Sequence, residues 1–349
     1  WIEAGTLSGS GSMSACGGAG YGSGGGGGGG RMAILYQTLD AFDLTNNLVA
    51  SGGTGGANGS AGTIYTRQTG ELGVLRIENR AVVSAAGTPL WRPDGTHDFE
   101  NVIIQGTNTT VTFPTGRICA ANMRLTDGAQ VTHVACTADR EYGLDLVVSN
   151  TLSISSNSAI DVSGRGYLAG RTLGNTTNGA SANYSGGSHG GLGGGSSPNV
   201  AYGDYPEPAA PGAGGAGGSA SAGGGCVKIL AGTLELAGTI RADGGPRPGN
   251  TSGGGAGGSI RITAGMLSGS GSMSVCGGAG YGSGGGGGGG RIALYFDDVI
   301  GFDLTNGVKA VGGTGGSLGG AGTIYWENAG GMCKELRLEG IGSATGLTP

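Results

Sequence analysis

The stretch CGGAGYGSGGGGGGGR occupies residues 16–31 and returns unchanged at residues 276–291. Each copy holds seven consecutive glycines: Gly24, Gly25, Gly26, Gly27, Gly28, Gly29 and Gly30, then Gly284, Gly285, Gly286, Gly287, Gly288, Gly289 and Gly290. Such a run has no side chain to bury, and fixing each residue costs roughly 1–2 kcal/mol, so ordering seven costs on the order of 10 kcal/mol. Three arrangements meet this constraint. The run is a loop that is never fixed; or it is an extended polyproline-II-like helix, rising about 3.1 Å per residue, packed beside similar segments whose backbone groups pair across it; or it cradles a ligand with its backbone. Packing explains most of the pattern, because rods that approach so closely tolerate no Cβ, and the spelling is preserved.

Two repeats are nested in the chain. Residues 4–31 match 264–291 at 26 of 28 positions, differing only at Thr6/Met266 and Ala15/Val275. Residues 32–66 match 292–326 at 18 of 35, and after a one-residue slip LRIE at 75–78 meets LRLE at 336–339. Residues 1–89 therefore read as the C-terminal part of one repeat unit of 260 residues, and 90–349 as one further unit, continuous with it. The expected parent is a longer tandem array of which this chain is a slice. The alternative is a removed leader, since the chain opens at Trp1 without a signal-peptide pattern.

The shorter period is about 33 residues. VKILAGTLELAGTIRADGG begins at Val227, IRITAGMLSGSGSMSVCGG at Ile260 and RIALYF at Arg291, and an earlier relative, LVVSNTLSISSNSAIDVSGRG, begins at Leu146 and is followed by a much longer loop. Each module reads as an apolar strand, a tight Ala-Gly or Ser-Asn corner, a second alternating strand, and a glycine-rich excursion of variable length. Aligned by module, Ile160, Ile240 and Met273 form one column, and Val162, Ala242 and Val275 another. Columns of this kind arise when each turn of chain lies on the last, with alternate side chains pointing inward. Roughly 20 structured residues per turn, with insertions leaving from one corner, predict an all-β, right-handed parallel β-solenoid. At about 4.8 Å per turn, eight turns of one unit would span roughly 40 Å. No window carries a helical stripe.

The GTLxLxGxIxAxGG modules, SHGGLGG at Ser188–Gly194 and GGGGGGGRIALY resemble the glycine-rich solenoid regions of very large secreted bacterial surface proteins, which are similar to right-handed parallel β-helices of the pectin-lyase-like class. The likeness covers most of residues 140–349 and, through the repeat, 4–80. It implies an extracellular or cell-surface role and carries over no catalytic residue.

Other chemistry is thinly represented. Net charge is −5 without a basic stripe, which argues against nucleic acid as partner, and no apolar run reaches the roughly 18 residues of a membrane helix. GYGSGG at Gly20–Gly25 satisfies a dinucleotide pattern, but no helix follows, and among 87 glycines the match is empty. Asp43 and Asp303, in the shared FDLTN, read as turn residues bonding the backbone rather than calcium ligands. The densest polar cluster is Asp94, His97, Asp98 and Glu100; carboxylates across a groove suit a lyase or hydrolase, and a D-G turn entering a strand explains the same letters. His189 is expected to donate hydrogen bonds within the glycine layer. Tyr21 and Tyr281 either cap that layer or lie exposed on a loop. His133, three residues before Cys136, lacks the ligands to complete a zinc site. Of six cysteines, Cys119 and Cys136 flank the strand pair expected around NMRLTDGAQVTH and are the candidates for a disulfide; buried free thiols are the alternative. Asn58, Asn108, Asn175, Asn183 and Asn250 lie in N-x-[ST] sequons.

The leading expectation is a structural extracellular protein without cofactor or catalytic site. Its tandem solenoid units build a fibre or surface layer by stacking and by lateral contact of glycine-rich faces, with itself as partner. A glycan-binding cell-surface adhesin is the alternative, and a polysaccharide-degrading enzyme the third.

Overall fold

The structure is a computed structural model and describes residues 1–80, 82–90, 96–107, 109–113, 117–245, 249, 251–331 and 333–340. Almost every element is a strand. The single helical element among the described residues is a 3-10 turn at Ala329–Gly331, and no helix there is long and apolar enough to cross a membrane. The chain divides into two compact units, Trp1–Thr132 with Val147–Ala159, and His133–Leu146 with Ile160–Pro349.

The first unit holds β1 (Ile2–Ser8), β2 (Met13–Ser14), β3 (Arg31–Asp40), β4 (Leu48–Val49), β5 (Thr63–Gln68), β6 (Val74–Glu78), β7 (Thr88–Pro89), β8 (Thr96–Gln105), β9 (Thr110–Phe113) and β10 (Arg117–Thr126). β11 (Gln130–His133) and β12 (Leu144–Ile154) are divided between the units. The long strands of the first unit pair in the order β1-β3-β5-β6-β8-β10, and the short β2 pairs with β4 and β7 with β9. The second unit continues with β13 (Ala159–Asp161), whose first residue belongs to the first unit, β14 (Cys226–Leu236), β15 (Thr239–Arg241), β16 (Ser259–Ser268), β17 (Ser272–Ser274), β18 (Arg291–Ile300), β19 (Val308–Lys309), β20 (Thr323–Asn328) and β21 (Lys334–Arg337). Its long strands pair β14-β16-β18-β20-β21 and its short ones β13-β15-β17-β19.

Most pairs are parallel and in register with the sequence modules. Val227 pairs with Ile260, Ile260 with Ile292, and Ile292 with Ile324, and all four are buried. On the short sheet Ile240 pairs with Met273 and Met273 with Val308, so the predicted column is a physical stack. Burying each such side chain is worth about 1.5–3 kcal/mol, and like stacks on like because the period of two keeps every member on the inner face.

Three features differ from the sequence-based expectation. First, β14 does not break at Ala231-Gly232; it runs through, and the inward alternation changes phase there, with Ala231 and Leu234 both buried. The bend fits inside the ladder because Gly265 sits against the Gly232 carbonyl, leaving room for no side chain. Second, β5 pairs with β6 and β20 with β21 in antiparallel fashion. Their connections are too short for a parallel crossover, and each contains a glycine with positive φ, Gly70 at 90° and Gly331 at 65°. Third, the two strands of NMRLTDGAQVTH are not partners: β10 joins the long strands and β11 the short ones, across a corner where Asp127 and Gly128 have φ of 59° and 85°.

Candidate functional site

The repeated glycine run meets two different surroundings. In the second unit Gly284 to Gly290 are all buried. Their hydrogen bonds recur every three residues. Gly285 and Gly288 donate to the carbonyls of Tyr184 and Gly187, both at 2.9 Å, while Gly286 and Gly289 donate to Ser317 and Gly320 at 2.8 and 2.9 Å. In return Gly194 and Gly191 donate to Gly286 and Gly289, and Gly254 and Gly257 donate to Gly285 and Gly288. The run is thus enclosed by the excursion before it (251–258), the one after it (311–322), and the long excursion between β13 and β14. The energetic question raised by seven glycines has a local answer: each neighbour supplies backbone partners, and the missing side chains let carbonyls approach where a Cβ would stand.

In the first unit the same letters are exposed or half-exposed from Gly24 to Gly30. The bonds to the turn after the run are reproduced: Gly26 donates to Ala57 at 2.8 Å and Gly29 to Ser60 at 2.9 Å, as Gly286 and Gly289 do with Ser317 and Gly320. Gly27 donates to Gly18 as Gly287 does to Gly278. The N–H groups of Gly25 and Gly28, counterparts of Gly285 and Gly288, have no backbone acceptor among the described residues.

The strand that follows each run repeats the contrast. Arg291 is buried; its Nε donates to the Tyr202 carbonyl at 3.0 Å and its Nη1 to Thr323 Oγ1 at 3.2 Å. Tyr295 Oη donates to Pro206 at 2.7 Å, and the Tyr205 ring meets Tyr325 edge-on at 5.6 Å. So one excursion covers both the glycine run and the outer face of β18 and β20. On the first unit the corresponding face of β3 and β5 is a groove of about 670 Å³ lined by Arg31, Leu35 and Tyr65 together with Trp1, Leu72 and Asp98. Arg31 and Trp1 are exposed there.

No family model, no curated protein and no solved structure matches this chain.

The remaining sequence candidates fall as follows. His189 is fully buried; its Nδ1–H donates to the Gly257 carbonyl at 2.9 Å, and its ring lies 4.8 Å from that of Tyr202. Burial, aided by the Arg291 charge, lowers its pKa to about 4, so the ring is neutral. His133 is likewise buried and lowered to about 4, and its ring bonds the Val134 carbonyl and the Cys226 N–H. Asp43 accepts the N–H groups of Thr45 and Asn46, and Asp303 those of Thr305 and Asn306, so both are turn residues. Asp98 is exposed and Glu100 half-buried on β8; Asp94 and the side chain of His97 lie outside the described residues. Tyr21 stands in solvent, while Tyr281 exchanges backbone hydrogen bonds with Ser252. Asn58 and Asn175 turn their amide nitrogens into the carbonyls of Val83 and Thr137; Asn108 and Asn250 lie outside the described residues. No disulfide is formed among the described residues: Cys119 sits in the β8–β10 ladder in register with Asp98, and the Cys136 sulfur faces the backbone of Tyr142.

One pair of residues escaped the sequence reading. Arg76 on β6 donates to the carbonyls of Thr45 and, at 2.7 Å, Leu48; Arg337 on β21 donates to Thr305 at 2.7 Å and Val308 at 2.6 Å. Each guanidinium ties an antiparallel strand to the corner after the FDLTN turn. The signal was present in LRIE and LRLE, whose shared arginine is the only charged residue common to both besides glutamate.

Proposed function

We propose that this chain is a structural, extracellular protein whose right-handed parallel β-solenoid windings, flanked by ordered polyproline-II-like glycine rods, associate with copies of themselves into a fibre or surface layer. The observation that carries the reading is the three-residue recurrence of partners along Gly284 to Gly290. A polyproline-II helix has three residues per turn and no internal hydrogen bonds, so its successive faces serve three different neighbours. Such a segment is useful as a packing element, since its whole bonding capacity points outward. The stacked columns Val227–Ile260–Ile292–Ile324 support the solenoid, and β1, paired on one side only among the described residues, offers a strand edge on which another chain can continue the ladder. The reading assigns no catalytic group and no cofactor.

Electron microscopy with fibre diffraction tests it. Concentrated protein is expected to form filaments with a meridional reflection near about 4.8 Å. Compact monomers at every concentration would overturn it.

A second reading, a glycan-binding surface adhesin, draws on the groove of the first unit, where Trp1 and Tyr65 offer ring faces beside Asp98 and Arg31. Retention on a glycan array, lost in Tyr65→Ala, would support it.

A further inference from the structure

The chain carries two copies of the sixteen-residue glycine stretch and a single excursion of the kind that covers one of them. That excursion, residues 181–211, holds the second copy at two places: through Tyr184 and Gly187 on the glycine run, and through Tyr202 and Pro206 on the strand that follows. We infer that the matching face of the first unit, formed by Gly25, Gly28 and Arg31 with the groove beside them, is a docking surface for a second copy of this excursion, supplied by another repeat of the same kind.

Two independent observations point to that occupant. The first is that the same residues, Gly285, Gly288 and Arg291, already hold it in the second unit. The second is that Gly25 and Gly28 have no local reason to be glycine. A Cβ on Gly25 would come no closer than 3.5 Å to the Ala57 carbonyl, and on Gly28 no closer than 3.7 Å to Ser60 Oγ, both ordinary contacts. On Gly285 and Gly288 the same atom would overlap the carbonyls of Gly194 and Gly191. By contrast Gly26 and Gly29 need to be glycine within their own unit, where a Cβ would overlap the carbonyls of Gly53 and Ala50. Every third glycine of the first run is therefore explained only by a chain laid over it. The groove is the second half of the same surface, since its outer-face residues Arg31, Ala33 and Tyr65 correspond to Arg291, Ala293 and Tyr325 beneath the excursion. Leu35 stands where Tyr295 does, so the bond to Pro206 has no counterpart there.

The inference deepens the structural reading above and rests on it for the source of the second excursion. Its test uses the full chain and a fluorescent synthetic peptide spanning residues 181–211. Saturable binding is expected, with slowed amide exchange at Gly25 and Gly28. Gly25→Ala and Gly28→Ala are expected to leave the thermal midpoint in place and to weaken the peptide by roughly tenfold or more. A peptide carrying Gly186→Ala and Gly190→Ala, whose added methyls would face the carbonyls of the run, is expected not to bind. Absence of binding, or equal binding to Gly25→Ala, Gly28→Ala and the parent, overturns the inference. So does a groove that retains glycans and ignores the peptide. Filaments that form with Gly25→Ala and Gly28→Ala as with the parent, alongside a peptide that does not bind, would sink the docking surface and leave the fibre reading standing. Peptide binding by a chain that never polymerises would do the reverse.

Discussion

The N–H of Gly288 donates to the carbonyl of Gly187 at 2.9 Å, and a methyl group placed on Gly288 would overlap the neighbouring Gly191 carbonyl. A hydrogen bond and a steric limit thus act at one residue. Gly288→Ala is expected to destabilise the second unit by about 3 kcal/mol, the upper end of what an overpacked site costs. Urea denaturation measures it. The companion Gly28→Ala, with space around its new methyl, should change stability by no more than about 0.5 kcal/mol. Equal losses in the two variants would mean that the runs do not differ in their surroundings.

Arg76→Ala removes charge-assisted hydrogen bonds to two backbone carbonyls, and Arg337→Ala removes them to three, those of Leu304, Thr305 and Val308. Arg76 is the more buried, and its loss is expected to cost about 2–3 kcal/mol. Lysine should not rescue it, because one ammonium group lacks the guanidinium fork that spans Thr45 and Leu48. The comparison of alanine and lysine variants in urea checks this.

Acid should weaken the second unit before its carboxylates protonate. His133 and His189 are held neutral, with folded pKa values of about 4 against 6.5 for a free imidazole. Above pH 6.5 neither folded nor unfolded chain binds the proton and stability is whole. Between 6.5 and about 4 the unfolded chain takes protons that the folded chain refuses, so stability falls with pH, by on the order of 3 kcal/mol per histidine at the lower end. His189→Gln should flatten part of this slope in urea midpoints collected from pH 7 to 4. Asp43 and Asp303, held below 3.8 by the N–H groups of Asn46 and Asn306, contribute stability that is whole above 3.8 and lost as pH falls through their lower folded values.

Cys16 and Cys276 occupy the same place in the repeated stretch, yet they should differ in reactivity. Burial, reinforced by the Asp243 carboxylate, pushes the Cys276 thiol up to about 11, whereas Cys16 is exposed. At pH 8 iodoacetamide is expected to modify Cys16 and Cys333 well before Cys276 or Cys226, whose thiol is pushed up to about 12 by burial. Peptide mapping of the alkylated native protein reads the order directly.

How much of this was legible beforehand differs by element. The β class and the inward columns follow from local alternation and a spacing of about 33 residues, because a side-chain period of two leaves few choices of face. Ile240 stacking on Met273 could be read from the modules alone. The antiparallel β5–β6 and β20–β21 pairs could not, since the same LRIE letters suit a strand of either direction, and direction depends on where Gly70 and Gly331 reverse the chain. Arg76 and Arg337 were visible as letters, but their role lies in carbonyls about 30 residues earlier, which no local pattern connects to them.

The glycine run divides the two sources of information most sharply. Its composition alone established that it carries no side-chain chemistry, forms no α-helix and tolerates no bulk if packed. Whether it is packed was decided by tertiary structure. Gly187 lies 101 residues before Gly288, in an excursion with its own spelling, and no equivalent covers Gly28 among the described residues. The same seven glycines are buried in one unit and exposed or half-exposed in the other because a chain without side chains takes its environment wholly from what is laid against its backbone.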